Sequence, residues 1–303
     1  MATPFKSNEG LDLDGFAQSV EFMRNAGASG CTIVGVLGES NRMLDSERED
    51  LIRTAIDVAG DLPICVGTSH AGTAATVGLS QMAHDLGAAA VMVTPTKEPA
   101  PPTDAQLLEL FSRVGEVGIP IVLQDHPAST QVHMTPAVVA KIAATVPMVQ
   151  CIKLEALPTP ARIAALHKLW RDTPPASPSG CTILTGLGAL YGAFDMEQGT
   201  AGFMTGFAFP EILIAMNAAA QAGDWAKAHR LYAQFLPLLV FEQQPGVGVR
   251  KELYRLRGLI ESNHVRHPAP SVNPVLAAGL VDQIARSLPG VDITKPLPKA
   301  LFE

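Results

Sequence analysis

Short apolar runs rich in β-branched residues alternate along the chain with amphipathic stretches of helical length. This alternation is typical of a parallel sheet whose strands are joined by crossover helices. The runs are apolar throughout, which indicates strands buried on both faces and favours a closed barrel. We therefore predict an α/β fold, a (β/α)8 TIM barrel, with strands at residues 31–36, 63–68, 89–94, 120–125, 148–154, 182–186 and 201–206.

The two ends of the chain depart from this repeat. An eighth strand should come first, ahead of the helix at 11–26, but only MATPF stands there. Beyond residue 222 the strand pattern stops, and three amphipathic segments predict three helices. We predict a barrel over 1–222 and a C-terminal three-helix appendage over 223–303. A doubly wound open sheet is the alternative, but no GxGxxG follows the first visible strand.

Two helix boundaries carry local signals. The helical segment 45–60 begins with Asp45 and Ser46, either of which can cap it, and its acidic first turn suits the helix dipole. Gly87 follows the helical segment QMAHDL and is predicted to take the left-handed conformation that often ends helices. Both signals support the alternation of helices with strands.

Composition and charge narrow the class of protein. Hydrophobic residues make up 47% of the 303 residues and charged residues 17%, so the chain can bury a large core. No apolar run approaches the ~18 residues that cross a bilayer. The net charge of −7, without a basic run, argues against nucleic acid and anionic membranes as partners. With no leader pattern in MATPFKSNEG, we expect a cytoplasmic protein with a small-molecule substrate.

The spacing of cysteines and histidines gives no support to a metal site. The four cysteines lie in apolar runs without CxxC spacing, so we expect buried free thiols. The histidines show no ligand spacing on one helix face. We therefore expect that the protein holds no metal.

Polar residues at strand ends are the candidates for chemistry, because active sites of such barrels lie at the carboxyl ends of the strands. Lys153 is the strongest candidate, since an ammonium inside an apolar strand faces a desolvation cost that favours the neutral, nucleophilic amine. The alternative is an ion pair with Glu155, because residues two apart in a strand share a face. The residues alone leave both interpretations open.

Four strand-end segments, GVLGES, GTSH, LQDHP and CIKLEA, resemble in order and spacing the dihydrodipicolinate synthase and N-acetylneuraminate lyase superfamily of class I aldolases. The resemblance runs over about residues 1–268. It implies a cofactor-free enzyme in which Lys153 forms a Schiff base with a small 2-keto acid. It also implies a homo-oligomer, a dimer or a tetramer. Because family barrels begin earlier, we expect Met1 to be an internal methionine of a longer chain.

The family's GxxGE loop, which binds the carboxylate of the keto acid, falls on Leu37, Gly38, Glu39 and Ser40. Two threonines usual in the synthases are Val36 and Leu37 here. This leaves backbone N–H groups and Ser40 to hold the carboxylate. The alternative is that Glu39 and Ser40 only mark the start of the next helix.

The strand at 120–125 departs from the synthases. Gln124 stands where they carry a tyrosine, and Ser129 stands at the position of their arginine. The tyrosine that a neighbouring subunit lends falls in the 95–98 region, which reads PTKE. Dihydrodipicolinate synthesis is therefore not expected. The segments Gln-Asp-x-Pro and Thr-Ser-His are similar to the branch containing 2-keto-3-deoxyarabonate dehydratase, so we expect dehydration of a 2-keto-3-deoxy sugar acid.

The expected Schiff base acts as an electron sink when a C3 proton is removed. The enamine can expel a C4 hydroxyl or arise by C3–C4 cleavage, so retro-aldol cleavage to pyruvate is an alternative, as is a barrel that only binds keto acids. The missing tyrosine needs a substitute for acid–base chemistry. We place His126 first, and then His70, Glu39, Asp125 or a water held by Gln124.

Several of these residues also have structural interpretations. His126 fits a solvent-facing loop, and His70 fits a cap of the helix that starts near Thr73. Gly186 lets a substrate approach the backbone or makes a tight turn, and Thr205 is expected to line the pocket floor. The predicted catalytic set is Lys153, His126 and Gln124. The predicted substrate-binding set is Leu37, Gly38, Glu39, Ser40, His70, Asp125, Gly186 and Thr205.

Overall fold

The computed structural model describes residues 1–97, 100–244 and 246–303. Glu98, the last residue of the 95–98 region considered above, lies outside the described residues. The chain divides into two compact units. The first unit comprises Met1–Ile64, Leu187–Ala193 and Thr205–Glu303, and the second comprises Cys65–Gly186 and Phe194–Met204. The division into a barrel over 1–222 and an appendage over 223–303 stays a prediction.

Parallel strands follow one another in chain order through the second unit. Each of β2 to β6 pairs with the next strand along the chain. In the first unit, the N–H of Cys31 in β1 donates to the carbonyl of Pro63, 2.9 Å away. The predicted α/β class with a parallel sheet is confirmed. The strands of the described residues are β1 Cys31–Ile33, β2 Ile64–Gly67, β3 Ala90–Val93, β4 Ile121–Asp125, β5 Val149–Leu154, β6 Thr182–Thr185 and β7 Gly202–Phe203.

Helices separate most of the strands, as the alternation predicts. Local signals fix several helix starts: Thr103 and Gln106 form a capping box at α4, and Thr135 caps α6 ahead of Pro136. The helices of the described residues are α1 Leu13–Asn25, α2 Asp45–Ala59, α3 Thr73–Asp85, α4 Asp104–Gly115, α5 Pro127–Thr130, α6 Pro136–Thr145, α7 Thr159–Asp172, α8 Gly192–Glu197, α9 Pro210–Gln221, α10 Trp225–Glu242, α11 Gly248–Leu256 and α12 Pro274–Ser287.

The C-terminal region contains the three predicted helices, α10, α11 and α12. All three belong to the first unit, together with α1 and α2. Helix α10 continues through Pro237, and its buried face includes Leu231 and Phe235. That these helices form an appendage is not confirmed and stays a prediction.

The predicted eighth strand is absent from the described residues, which contain seven strands in the sheet. The segment before α1 makes an isolated antiparallel bridge between Phe5 and Leu11, and the amino group of Met1 donates to the carbonyl of Thr32 at 2.6 Å. Pro4 has no N–H to donate to a strand ladder, which works against a regular strand in so short a segment. The prediction of a complete eight-stranded barrel is therefore corrected to seven strands.

One face of the sheet in the second unit carries an apolar layer. It consists of the buried residues Cys65, Met92 and Val122 and of the partly buried residues Ala90, Cys151 and Met204, which pack against them. Full burial of a valine or methionine side chain, as for Val122 and Met92 in this layer, stabilises a fold by about 1.5–3 kcal/mol. The four cysteines are free, and Cys31 and Cys65 are buried. Because side chains alternate along a strand, residues two positions beyond this layer lie on the same face, closer to the carboxyl ends.

Candidate functional site

A row of buried polar side chains lies directly above the apolar layer of the second unit. Lys153 in β5 is in register with Gln124 in β4, and Leu123 is in register with Val93 in β3. Thr94, the residue after β3, therefore stands opposite Gln124. Each of the three follows a member of the apolar layer by two residues, so all three face the same way. The row is almost fully buried, with exposures of 6% for Thr94, 2% for Gln124 and 8% for Lys153.

Lys153 and Gln124 meet at one carboxylate, that of Glu155. The Lys153 Nζ lies 3.4 Å from Glu155 Oε2, and Gln124 Nε2 donates to the same oxygen at 2.6 Å. The ion pair considered from the sequence is therefore present, and Gln124 shares it. A carboxylate beside an amine can accept the proton that the amine must lose before it attacks a carbonyl. The arrangement brings together a buried amine, a carboxylate and an amide that donates to the carboxylate.

Gly186 makes room for that carboxylate. Its N–H donates to the carbonyl of Leu154 at 3.1 Å, which continues the ladder past the end of β6. A Cβ at Gly186 would lie 2.1 Å from Cγ of Glu155 and 2.6 Å from its Oε1. Any larger residue would displace Glu155. The sequence predicts that a substrate approaches the backbone at Gly186. In the structure it is the side chain of Glu155 that lies against this glycine.

Asp125 follows Gln124 in β4 and points to the opposite face of the sheet. It is fully buried, and its Oδ2 accepts from Arg162 at 2.9 Å. Burial raises the pKa of Asp125, and the charge of Arg162 opposes that rise. Arg162 also donates to the carbonyl of Met134. These contacts assign Asp125 a protein partner and give no support to its predicted contact with substrate.

The two histidines at strand ends have local partners. His126 Nδ1 lies 2.5 Å from the hydroxyl of Ser129, and His126 directly precedes the short helix α5. His70 is exposed, and its Nδ1 accepts from the N–H of Gly72 at 3.0 Å, just before α3. The cap residue of α3 is Gly72, which makes no side-chain capping bond, so the cap considered for His70 from the sequence is not formed.

The GxxGE loop lies in the first unit, where Leu37 and Gly38 belong to a 3₁₀ turn at Val36–Gly38. Glu39 has a left-handed backbone with φ of 58°. The N–H groups of Gly38, Glu39 and Ser40 donate to carbonyls of Gly35 and Val36. These donors already have partners inside the loop, so they contribute less to the predicted carboxylate site than the sequence indicates.

Glu39 is held by three cationic residues of the first unit. Its carboxylate pairs with Lys251, accepts from Arg42 at 2.8 Å and accepts from the backbone N–H of Arg266 at 3.1 Å. Lys251 is fully buried, and desolvation lowers its pKa to about 8 against the opposing effect of Glu39. The carboxylate is 1% exposed. These contacts fix the Glu39 carboxylate inside the first unit, as expected for a residue that stabilises the fold.

Thr205 lies in the first unit next to Gly206. A Cβ at Gly206 would lie 2.4 Å from Cδ1 of Leu37, so the two predicted binding segments approach each other here. The first unit thus brings Leu37 close to the Thr205–Gly206 segment. The second unit brings Lys153, Gln124 and Gly186 around Glu155.

Sequence reasoning missed two residues of the second unit as participants. Glu155 was considered only as an ion-pair partner, although its spacing from Lys153 already places it on the same face. Thr94 was not singled out, although it ends a predicted strand. Across residues 1–97, 100–244 and 246–303, no group of three His, Cys, Asp or Glu side chains is arranged to hold a metal ion. Every helix in those ranges is too short or too polar to cross a bilayer.

The fold and the site define an α/β protein with a buried lysine–carboxylate pair at the carboxyl ends of parallel strands. The model of the dihydrodipicolinate synthetase family matches residues 1–275. The chain is 34% identical over 291 residues to the L-2-keto-3-deoxyarabonate dehydratase of Azospirillum brasilense, covering 94% of this chain and 92% of that protein. It is 30% identical to a 4-hydroxy-tetrahydrodipicolinate synthase of Acidothermus cellulolyticus, covering 94% and 88%.

Solved structures agree with the sequence comparisons. The dihydrodipicolinate synthase of Rhodopseudomonas palustris superposes with a TM-score of 0.88 at 32% identity, over 94% of this chain and 95% of that one. The chain belongs to the dihydrodipicolinate synthetase family. The resemblance predicted from the sequence is confirmed. Membership supports the prediction of a lyase that acts on a small keto acid.

Proposed function

We propose that this chain is a class I lyase in which Lys153 condenses with the C2 ketone of a 2-keto-3-deoxy sugar acid, which the enzyme then dehydrates. One observation carries the proposal, the buried contact of Lys153 with the carboxylate that Gln124 orients. The similarity to a keto-deoxy acid dehydratase over most of the chain supports the choice of substrate class. Gln124 in place of the synthase tyrosine argues against dihydrodipicolinate synthesis.

In this proposal the carboxylate of Glu155 accepts and returns the protons that the reaction moves. Its Oε2, 3.4 Å from Nζ, accepts a proton from the Lys153 ammonium and so frees the amine for attack on C2. Loss of water from the carbinolamine gives the protonated imine. The bond from Gln124 holds the carboxylate toward the imine. In this proposal Glu155 has the acid–base role for which the sequence offers His126 first, and then His70, Glu39, Asp125 or a water held by Gln124.

The elimination needs a base at C3 and an acid at the C4 oxygen. Removal of a C3 proton converts the imine to an enamine, and the enamine electrons expel the C4 hydroxyl once that oxygen receives a proton. One carboxylate can serve both steps if it returns the proton it has taken. Retro-aldol cleavage shares the enamine but requires removal of a proton from the C4 hydroxyl. Product analysis therefore separates the two reactions: cleavage releases pyruvate, and dehydration does not.

Borohydride trapping tests the Schiff base. Wild-type protein incubated with pyruvate and borohydride should gain the mass of a reduced adduct on the peptide that contains Lys153. Lys153→Ala should gain none, whereas Lys168→Ala, which removes an exposed lysine of α7, should trap like the wild type. Trapping that persists in Lys153→Ala would refute the assignment. Ligand-induced stabilisation without turnover on any keto-deoxy acid would instead favour a barrel that only binds keto acids.

A second pair of variants assigns the acid–base role. Glu155→Gln should lower kcat for dehydration by about 10²-fold or more, because general acid–base groups contribute rate factors of that order. His126→Asn should change kcat by less than about tenfold, since His126 is engaged with Ser129 at its own strand end. Both variants should still bind pyruvate. A larger loss of kcat in His126→Asn than in Glu155→Gln would assign the acid–base role to His126.

A further inference from the structure

Thr94 carries a buried hydroxyl without a hydrogen-bond partner among residues 1–97, 100–244 and 246–303. Its side chain is almost fully covered, yet within the described part of the chain its Oγ1 has no hydrogen-bond partner. A neighbouring buried threonine provides the contrast, since the hydroxyl of Thr68 lies 2.9 Å from that of Ser80. Burying a hydroxyl without a partner is destabilising, and native proteins seldom keep one without a use.

The backbone orients Thr94 toward the row that contains Lys153. The N–H of Thr68 donates to the carbonyl of Met92 at 3.1 Å, and the N–H of Thr94 donates to Ser69 Oγ at 2.8 Å. Residues 92 and 94 therefore both direct backbone groups toward the segment after β2, as alternate residues of a strand do. Met92 belongs to the apolar layer, so Thr94 extends the same face.

The spacing of strands sets the distance between Thr94 and the proposed nucleophile. Thr94 and Lys153 flank Gln124 on either side, and neighbouring strands lie about 4.8 Å apart, so the two Cα atoms are separated by roughly 10 Å. The amide of Gln124 is already directed to Glu155. A chain attached to Nζ at C2 can thus extend across Gln124 and end at Thr94.

We propose that the Thr94 hydroxyl binds the hydroxyl beyond C4 in the sugar-acid chain, so that Thr94 selects keto acids with a hydroxylated tail. This inference rests on the proposed function, because it places C2 at Lys153. It also defines the substrate class more narrowly, as a 2-keto acid of at least five carbons with an oxygen on C5. A 2-keto acid that ends in a methyl group would leave the buried hydroxyl without a partner.

The test compares two ligands that form an imine but cannot be dehydrated or cleaved. 5-Hydroxy-2-ketopentanoate and 2-ketopentanoate both lack the C4 hydroxyl, and they differ only in the C5 oxygen. The half-saturating concentration for borohydride trapping on Lys153 is measured for wild type, Thr94→Val and Thr94→Ser. Because each ligand is compared between variants, any ring-closed fraction of the free hydroxy acid cancels.

Thr94→Val should raise the half-saturating concentration for the hydroxy acid by about tenfold, the order of one hydrogen bond, and leave that for 2-ketopentanoate within about threefold. Thr94→Ser, which keeps the hydroxyl, should stay close to wild type with both ligands. Equal weakening of both ligands in Thr94→Val, or no change in either, would overturn the inference while trapping on Lys153 still stands. Failure of the wild type to trap either acid would overturn the proposed function and this inference with it.

Stability provides an independent readout that a purely structural threonine would not reproduce. Without ligand, Thr94→Val should melt about 2 °C higher than wild type, because the change removes an unpaired buried hydroxyl. Thr68→Val is the matched control and should melt lower, since it removes the buried hydrogen bond between the Thr68 and Ser80 hydroxyls and leaves Ser80 only its bond to the carbonyl of Thr76. A lower melting temperature for Thr94→Val would show that the hydroxyl serves the fold, which contradicts the inference.

Discussion

Replacing Gly186 by alanine tests whether the position of Glu155 matters. The φ of Gly186 lies outside the left-handed region, so alanine fits the backbone and the effect comes from its methyl group alone. That methyl would lie 2.1 Å from Cγ of Glu155, 2.5 Å from Cδ and 2.6 Å from Oε1. The nearest neighbours are thus all atoms of the proposed proton carrier.

The required displacement follows from these contacts. Carbon atoms rest about 3.5 Å apart, so the Glu155 side chain must retreat by roughly 1.4 Å from a Cβ that begins 2.1 Å away. A hydrogen bond of 2.6 Å to Gln124 does not survive a shift of that size unless both side chains move together. A misplacement of about 1 Å can cost 10²-fold in rate, and overpacking costs about 1–3 kcal/mol of stability.

The assay measures three quantities on Gly186→Ala. We expect kcat for dehydration of a keto-deoxy acid to fall about 10²-fold, the free energy of unfolding to fall by about 1–3 kcal/mol, and borohydride trapping of pyruvate on Lys153 to persist. Gly78→Ala is the control, because Gly78 is exposed in α3 and a Cβ there meets nothing within 4 Å. If Gly186→Ala keeps kcat within about threefold of wild type, the placement of Glu155 is not what the chemistry needs.

Two further predictions concern buried charges. Lys251→Met should lower the free energy of unfolding by about 3 kcal/mol in urea titrations, because it leaves the buried carboxylate of Glu39 with less compensating charge, and Glu39→Gln in the same chain should restore part of the loss. A loss below about 1 kcal/mol would contradict this account. Burial raises the pKa of Asp195 from 3.8 to about 6, so the folded state binds this proton more tightly than the unfolded state does. The resulting stability is fully present below pH 3.8 and is lost as the pH rises through 6, and about 2 kcal/mol of the loss falls between pH 4 and pH 7. Asp195→Asn should remove that slope from unfolding free energies measured between pH 4 and 7, and a slope equal to that of wild type would exclude Asp195 as its source.

Much of the fold could be predicted because local patterns determine it. The strand predicted at 182–186 is observed at Thr182–Thr185, and Gly87 has the expected left-handed φ of 92°. Other boundaries depended on backbone geometry that no pattern shows. The strand predicted over 31–36 ends at Ile33, because Val34 takes a φ of 53°. Helix α2 begins at Asp45 with Leu44 as its cap residue, so the caps predicted at Asp45 and Ser46 were wrong.

For the candidate site, the sequence predicts which residues of one strand share a face, but it does not predict the contacts between strands. Alternation within β5 placed Lys153 and Glu155 on one face, and the resemblance singled out Gln124. The bond between Gln124 and Glu155 depends on the register of β4 against β5, which is set by helices and loops between them. The anchoring of Glu39 by Lys251 joins residues more than two hundred positions apart. Such contacts follow from the assembled fold.

The contacts of the two buried lysines, Lys251 and Lys153, support the proposal that Lys153 is the nucleophile. Lys251 has a pKa lowered to about 8 by desolvation, which by itself is the property of an activated amine. Its Nζ, however, pairs with Glu39, donates to the carbonyl of His264 at 2.6 Å and lies 4.3 Å from the centroid of the Phe5 ring. An amine surrounded in this way cannot approach a carbonyl carbon.

Lys153 differs in the length of its contact. Its Nζ stands 3.4 Å from Glu155, longer than the ~2.8 Å of a strong charge-assisted bond, and the same carboxylate oxygen is shared with Gln124. The carboxylate is therefore near enough to take a proton and is not clamped onto the amine. Trapping should accordingly mark Lys153 and leave Lys251 unmodified in the same sample, and an adduct on Lys251 would reverse this assignment.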